Sequence, residues 1–402
     1  MSRAHFSPLA VSGVAVVSSV GAGLSPLLSS LREGATGLRP CRFETAALPT
    51  WTGEVAGVGD ASLPPEFAAY DCRNNRIARM ALDQDGFGTA VARAVGTYGS
   101  RRIGLVVGTS TSGIHVSEQA YRDRDPQTGA FRRPFDFAGT HDTFSIASFV
   151  ASYLNLDGPM LAVSAACATT ANAIGCGARM IAAGVCDAAI VGGADSLCLT
   201  TLYGFHSLEV LSPSPCRPFD THRNGISIGE GAGFALLEKP EATPQDGDVL
   251  LLGIGESSEA YHMSAPNPSG IGARLAMERA LASAGLDAGD IDYVNAHGTG
   301  TRIGDAAEDR AISGLFGRRT PCSSTKGLIG HLLGSAGISE AVISILTLRH
   351  GLIPGSIHTT SVDPAFACNY VTAPRDAPLR TVLSNSFGFG GSNCSLILGC
   401  RG

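Results

Sequence analysis

Cys167 lies in SAACATTA, where the apolar run Leu161–Val163 ends and a stretch of small residues begins. A sulfur at the start of a helix meets unpaired backbone N–H groups, which favour the thiolate, the nucleophilic form of cysteine. Ser164, Ala165, Ala166, Ala168 and Thr169 leave room for a substrate beside it. A buried, inert thiol is the plain alternative. His297, in VNAHGTGTRIGD, follows the strand-like run Ile291–Val294. An imidazole there can donate to a developing oxyanion or exchange a proton near neutral pH. Asp305 and Glu308 follow at a loop-to-helix junction, either orienting that loop or sitting as solvated helix-start carboxylates. Lys326 and His331 share SSTKGLIGHLLGSAG, with Glu340 further along the same stretch. A lysine between a polar strand end and an apolar helix snorkels to solvent or pairs with a carboxylate such as Glu340. His331 taken alone reads as a satisfied core histidine. Near the C-terminus, NSFGFGGSN joins two apolar runs. It reads either as an anion-binding nest whose Phe387 and Phe389 wall a cavity, or as a glycine hairpin with two packed rings.

These groups need elements to hold them. Hydrophobic periodicity predicts a strand over Leu9–Val20, a helix beginning at Pro26–Glu33, one or two helices in Arg73–Val95, a strand over Ile103–Val107 and a helix over Asp142–Tyr153. Residues 40–65 read as an irregular polar excursion. From Met160 the pattern is strand, abrupt turn at the cysteine, an almost charge-free helix and a strand at 188–191. That helix must be buried, either centrally in the chain or between subunits. The stretch PCSSTKGLIGHLLGSAGISEAVISILTLRHGLI repeats the scheme. The chain therefore reads as two βα-type halves, 1–255 and 256–402, with Pro240–Asp248 as a surface turn near the border.

Composition bounds the function. The 402 residues carry 44% hydrophobic and 16% charged side chains, with 29 Lys+Arg against 35 Asp+Glu for a net charge of −6. These values exclude a disordered chain and argue against a nucleic-acid coat. The 11 cysteines form no CxxC pair, so a reduced, cytoplasmic setting without a structural zinc site is expected. No phosphate-binding glycine motif, dinucleotide fingerprint, GxSxG or HExxH occurs, so no metal is expected. The N-terminal apolar run is broken by Ser and Gly, and neither a membrane span nor a processing segment is expected. Arg73, Arg76 and Arg79 form either a patch that steers an acidic partner or an ordinary solvated face.

AACATT around Cys167, HGTGTRIGD around His297, STKGLIGHLLGSAG with Lys326 and His331, and NSFGFGGSN, in that order, together resemble the β-ketoacyl-acyl carrier protein synthase family, over essentially the whole chain. YDCRNNRIARMAL and CRPFDTHRNGISIGEGAG fit its elongating, two-histidine branch. The resemblance implies an α/β thiolase-like fold, two duplicated halves packed as five α-β-α-β-α layers. It implies decarboxylative Claisen condensation in fatty-acid or related elongation: Cys167 takes the acyl group, while His297 and His331 act in decarboxylation of carrier-bound malonyl and stabilise the enolate. Lys326 paired with Glu340 holds the site electrostatically, and Asp305 and Glu308 support the loop. The backbone N–H groups of Cys167 and Phe389 form an oxyanion hole, with Phe389 also a gate. Thr299 and Thr301 contact the pantetheine arm, and Thr111 and Phe205 line the acyl pocket. No permanently bound cofactor is implied; the substrate carrier is the phosphopantetheine arm of acyl carrier protein. The implied partners are that carrier and a second copy in a homodimer, or a related subunit in a heterodimer, with no nucleic acid or membrane. A specialised polyketide or aryl-polyene ketosynthase, and a non-catalytic chain-length partner, are the alternative functions. A thiolase or coenzyme A-primed synthase fits Lys326 with two histidines less well. The 39–65 segment carries no family motif, and Gly304 stands where some relatives carry Asn.

Overall fold

The computed structural model describes residues 6–240 and 248–400. Five strands make the first half: β1 (Leu9–Ser18), β2 (Ile103–Gly108), β3 (Met160–Val163), β4 (Ala188–Asp195) and β5 (Gly231–Glu238). Five make the second: β6 (Val249–Ser258), β7 (Tyr293–Asn295), β8 (Pro321–Ser323), β9 (Thr381–Phe387) and β10 (Ser392–Cys400). The first half runs in the order β1-β5-β4-β2-β3 and the second in the order β6-β10-β9-β7-β8. In both, the first and last strands pair antiparallel, the last pairs antiparallel with the fourth, and the fourth, second and third run parallel. Order and direction thus repeat strand for strand. A two-residue antiparallel contact, Leu9 with Leu251 and Ala10 with Leu250, joins the halves along one edge. The border expected between residues 255 and 256 falls inside β6, which runs from Val249 to Ser258. Most of the surface turn expected over Pro240–Asp248 lies outside the described residues.

The apolar patterns explain the layers. The helix Thr169–Ala182 carries one charge, Arg179, and buries ten residues; in Ala336–His350 every residue from Ala336 to Leu348 is buried. Helices apolar on nearly every side cannot face water, and both lie between the two sheets, in one cluster with Val14 and Val16 of β1 and Leu396 of β10. They cross closely because Gly337 lacks a side chain: a Cβ there would stand 2.7 Å from the Ala171 nitrogen. Amphipathic helices cover the outer faces. Arg73–Leu82, Phe87–Tyr98 and Ser145–Tyr153 pack Ile77, Phe87 and Phe149 on the first sheet. Ile271–Ala284 and Arg302–Phe316 pack Met277 and Ile312 on the second. The result is five layers, with the almost charge-free helix in the centre of the chain.

The arginine cluster has become internal wiring. Arg73 reaches Glu230, Arg76 binds Asp71 at 2.6 Å, and Arg79 lies 3.4 Å from Asp83. Arg73 is largely buried, so these residues do not present an unpaired basic patch.

Candidate active site

Parallel strands place their loops at the carboxyl edge of a sheet, where side chains of successive units converge. Duplication supplies two such edges, and they face one another. Cys167 follows β3 and precedes the central helix Thr169–Ala182; His331 follows β8 and precedes the other central helix. The two residues occupy equivalent turns of the two repeats. Across the interface the Cys167 sulfur lies 3.0 Å from Nε2 of His331.

The turn at Cys167 is strained and pinned. Ala166 adopts a positive φ of 48°. The Thr169 hydroxyl closes the elbow by accepting from the Ala165 N–H at 2.7 Å and donating to the Ala166 carbonyl at 2.6 Å. The backbone N–H of Phe389 reaches the sulfur. Burial pushes the Cys167 thiol up to about 12, against the pull of Lys326 and the Phe389 N–H. Burial thus works against the thiolate that a helix start favours, and desolvation outweighs the pull of the nearby cation and N–H.

Both histidines are neutral for the same reason. Burial, with Lys326 adding like-charge repulsion, holds His297 and His331 well below the usual imidazole range. Lys326 is 1% exposed. Its ammonium donates to the His297 carbonyl and to a Glu340 carboxylate oxygen, and lies 3.3 Å from His297 Nδ1. A protonated amine beside Nδ1 leaves that nitrogen as the acceptor, so the ring proton sits on Nε2. The His297 and His331 rings meet edge to face, centroids 5.3 Å apart. Lys326 is thus paired with Glu340, whose carboxyl is pushed up by burial against the pull of the lysine.

The carboxylates after His297 turn inward. Glu308 accepts from the N–H groups of His297 at 2.8 Å and Gly298 at 2.7 Å, and from the Asn385 amide at 3.2 Å. Asp305 accepts from the N–H groups of Phe219 at 2.7 Å and of Thr299 and Gly300 at 3.0 Å. Burial pushes Asp305 up to about 7 and raises Glu308. These are buried loop anchors and not solvated helix-start charges.

Two cavities meet at the sulfur. One of about 580 Å³ is lined by Cys167, His297, His331, Thr299, Thr301 and the Phe387–Gly391 loop. Thr299 and Thr301 stand 2.9 Å apart along its wall. The other, about 440 Å³, is lined by Cys167, Thr111, Phe205, Leu208 and Leu333. Phe205 and Phe389 line both, their rings 5.8 Å apart, so they stand at the junction. The glycine-rich run is a loop against the nucleophile turn: a Cβ on Gly388 would sit 2.8 Å from the Ala165 carbonyl. The Thr111 hydroxyl is already engaged, donating to Asp195 at 2.8 Å and accepting from the Ser196 N–H at 3.0 Å.

Sequence reading brought together Cys167, His297, Lys326, His331, Glu340, Asp305, Glu308, Thr299, Thr301, Thr111, Phe205 and Phe389, and all twelve stand at or immediately behind this junction. It missed Glu259, which accepts from Asn267 N–H at 3.0 Å and Asn393 at 3.3 Å while its own N–H donates to the Gly391 carbonyl. A single acid in a loop gives no pattern to read. Ser324 was also missed; its hydroxyl ties the Lys326 turn to the Gly298 carbonyl at 2.7 Å.

Residues 7–242 match the family model of the β-ketoacyl synthase N-terminal domain and residues 249–360 that of the C-terminal domain. A 3-oxoacyl-[acyl-carrier-protein] synthase 2 of Coxiella burnetii is 32% identical over 411 aligned positions, 96% of this chain and 97% of that protein. A mitochondrial 3-oxoacyl-[acyl-carrier-protein] synthase of Arabidopsis thaliana is 43% identical over 258 residues, 60% of this chain and 56% of its own length. Among solved structures, a ketosynthase in complex with its chain length factor from Xenorhabdus doucetiae superposes with a TM-score of 0.87 at 38% identity, covering 100% of both chains. The ishigamide ketosynthase/chain length factor superposes with a TM-score of 0.87 at 30% identity, covering 98% of this chain and 99% of the other.

Proposed function

The chain belongs to the β-ketoacyl synthase family and is a condensing enzyme of thiolase-like fold; from that premise we propose how its residues divide the reaction. The observation that carries the reading is the 3.0 Å contact of Cys167 with His331 at the meeting of two cavities, opposite an imidazole whose tautomer Lys326 fixes.

In the first half-reaction the Cys167 thiol attacks an acyl thioester delivered on the phosphopantetheine arm of acyl carrier protein. The neutral His331 takes the thiol proton and passes it to the departing pantetheine sulfur, so atoms and charge balance. Charge on the tetrahedral oxygen is met by the backbone N–H groups of Cys167 and Phe389. The acyl chain occupies the smaller cavity, past Phe205 and Thr111, with Phe389 as the gate. Its opening beside exposed Leu208 suits completion by a second subunit. We assign that place to a second copy, with a chain-length-factor-like subunit as the alternative, favoured by the two relatives solved as such pairs.

In the second half-reaction malonyl on the carrier enters the larger cavity, its arm along Thr299 and Thr301. Loss of carbon dioxide leaves an enolate whose oxygen accepts from Nε2–H of His297, with His331 facing the same point. The enolate carbon attacks the Cys167 thioester carbonyl, the C–S bond breaks, and the released sulfur takes up one proton from solvent. Asp305 and Glu308 keep the His297 loop rigid, and Lys326 with Glu340 holds the imidazole in register. The placing of a nucleophile beside His331 speaks against a silent chain-length role.

The test incubates pure protein with acyl-carrier and malonyl-carrier substrates and looks for the lengthened β-ketoacyl product. Acylation of Cys167 without condensation contradicts the reading. Cys167→Ala is expected to abolish the acyl adduct seen by mass spectrometry.

A further inference from the structure

His331 has an unusual weakness. Its Nδ1 is buried and has no hydrogen-bond partner among the described residues. No hydrogen bond to Nδ1 orients the ring, so beyond its edge-to-face packing on His297 the position of Nε2 against the sulfur follows from the backbone. On the N-terminal side that backbone is held by the Ser227 carbonyl, which accepts from His331 N–H at 2.8 Å, and by the Gly229 N–H, which donates to the His331 carbonyl at 3.0 Å. On the C-terminal side the chain passes through Leu333, at a positive φ of 53°, to Gly334.

Gly334 is gripped by the other half of the molecule. Its N–H donates to Oδ2 of Asp195 at 2.5 Å, and its carbonyl accepts from the Thr170 hydroxyl at 2.7 Å. That hydroxyl also accepts from the Ile338 N–H at 2.9 Å. A Cβ on Gly334 would stand 2.8 Å from Asp195 Oδ2, so the approach has no slack. Asp195 ends β4 and is 0% exposed. Its other oxygen, Oδ1, accepts from the N–H groups of Ser110 and Thr111 and the hydroxyls of Thr109 and Thr111 at 2.7 to 2.9 Å. Thr170 lies one turn beyond Cys167 on its helix. One carboxylate therefore locks together the loop after β2, which lines the acyl cavity, and the loop that carries His331.

We propose that Asp195 and Thr170 are positioning residues for the condensation, holding the His331 imidazole, whose Nδ1 has no hydrogen-bond partner among the described residues, against the Cys167 sulfur through Gly334. The inference rests on the catalytic reading above. It adds a second duty for Asp195: Ser110, whose N–H donates to this carboxylate at 2.7 Å, also donates its hydroxyl to the Ala166 carbonyl beside Cys167 at 3.5 Å, so a buried negative charge stands next to the nucleophile turn and opposes ionisation of the thiol.

The test compares Asp195→Asn, Thr170→Val and Thr170→Ser with the parent protein. Three quantities are read: condensation kcat, KM for malonyl carrier, and the pH dependence of Cys167 alkylation by iodoacetamide. In Asp195→Asn, with Oδ1 kept by its four donors, the new amide faces the Gly334 N–H, donor against donor. We expect kcat to fall about 30-fold with KM within about threefold, since misplacement of a reacting group costs rate more than binding. The alkylation midpoint shifts to lower pH as the buried charge is removed. Thr170→Val, which keeps the charge, lowers kcat about tenfold without moving that midpoint, and Thr170→Ser restores kcat to within about twofold. If Asp195→Asn does not fold, the Thr170 pair decides alone. Unchanged kcat in Thr170→Val, or failure of Thr170→Ser to restore it, overturns the proposal. So does an Asp195→Asn protein with parental kcat, or one with an unmoved alkylation midpoint. Failure of the parent to condense condemns the catalytic reading instead, while the alkylation profiles still report on Asp195.

Discussion

At the scale of single residues, burial sets the protonation of the site. Burial pushes the Cys167 thiol up to about 12 and holds two imidazoles well below their usual range, so enclosure favours neutral forms beside one buried lysine. Thiolate fraction rises with pH toward the raised value, so alkylation of the free enzyme is expected to climb about tenfold per pH unit from 7 to 10. A rate that levels off below pH 8 would show a thiolate at rest. Lys326→Met tests the other half of the arrangement. It removes the donor at His297 Nδ1, and Glu340, already pushed toward its neutral form, then takes a proton and remains buried without charge. Condensation should fall about 100-fold while acyl transfer to Cys167 stays within about tenfold, because the enolate oxygen depends on His297 more than the thiol does. Equal losses in both steps would remove the division of labour between the two histidines.

At the scale of elements, the two apolar helices between the sheets are what bring the repeats into register. Their crossing depends on Gly337 lying against Ala171, where a side chain would have a Cβ 2.9 Å from that alanine's own. Gly337→Val is expected to lower stability by about 3 kcal/mol, read from the urea midpoint, because overpacking in a closed core forces the helices apart. A midpoint unchanged from the parent would mean that the helices can separate at no cost. The loop after β7 shows the complementary device. It is short, rich in glycine, and has no regular structure of its own, so Asp305 and Glu308 supply carboxylate acceptors for four of its backbone N–H groups, and Asp305 for that of Phe219 as well.

At the scale of the whole molecule, two repeats build two cavities and a partition. Phe389, 37% exposed on a glycine loop, lines both the larger space and the smaller. Phe389→Ala should merge them. In a panel of acyl-carrier primers of different length, the variant is expected to lose discrimination between short and long chains by about tenfold in kcat/KM, within the range a single packing contact supplies. Retained selectivity would place the discriminating surface elsewhere, for example on Phe205.

The local pieces are legible along the chain. A strand running into small residues at Cys167, glycine-rich turns at His297 and His331, and helices with few charges are statements about sequence neighbours, and periodicity and residue size carry them. The one or two helices expected within Arg73–Val95, which are two in the structure, and the strand pair around NSFGFGGSN stand close to where the patterns put them. Only the tertiary structure decided what those pieces do electrostatically. A helix start was readable at Cys167, but the enclosure that overrides its effect on the thiol comes from residues far apart in sequence. The same holds for the arginines at 73, 76 and 79: their charge was legible, whereas their partners Glu230, Asp71 and Asp83 were not. Asp195 carried no signal at all, because its role lies in a contact with Gly334 that exists only once the two halves have closed on each other. Hydrogen bonds and desolvation act over a few ångströms in space, and distance along the chain does not encode that.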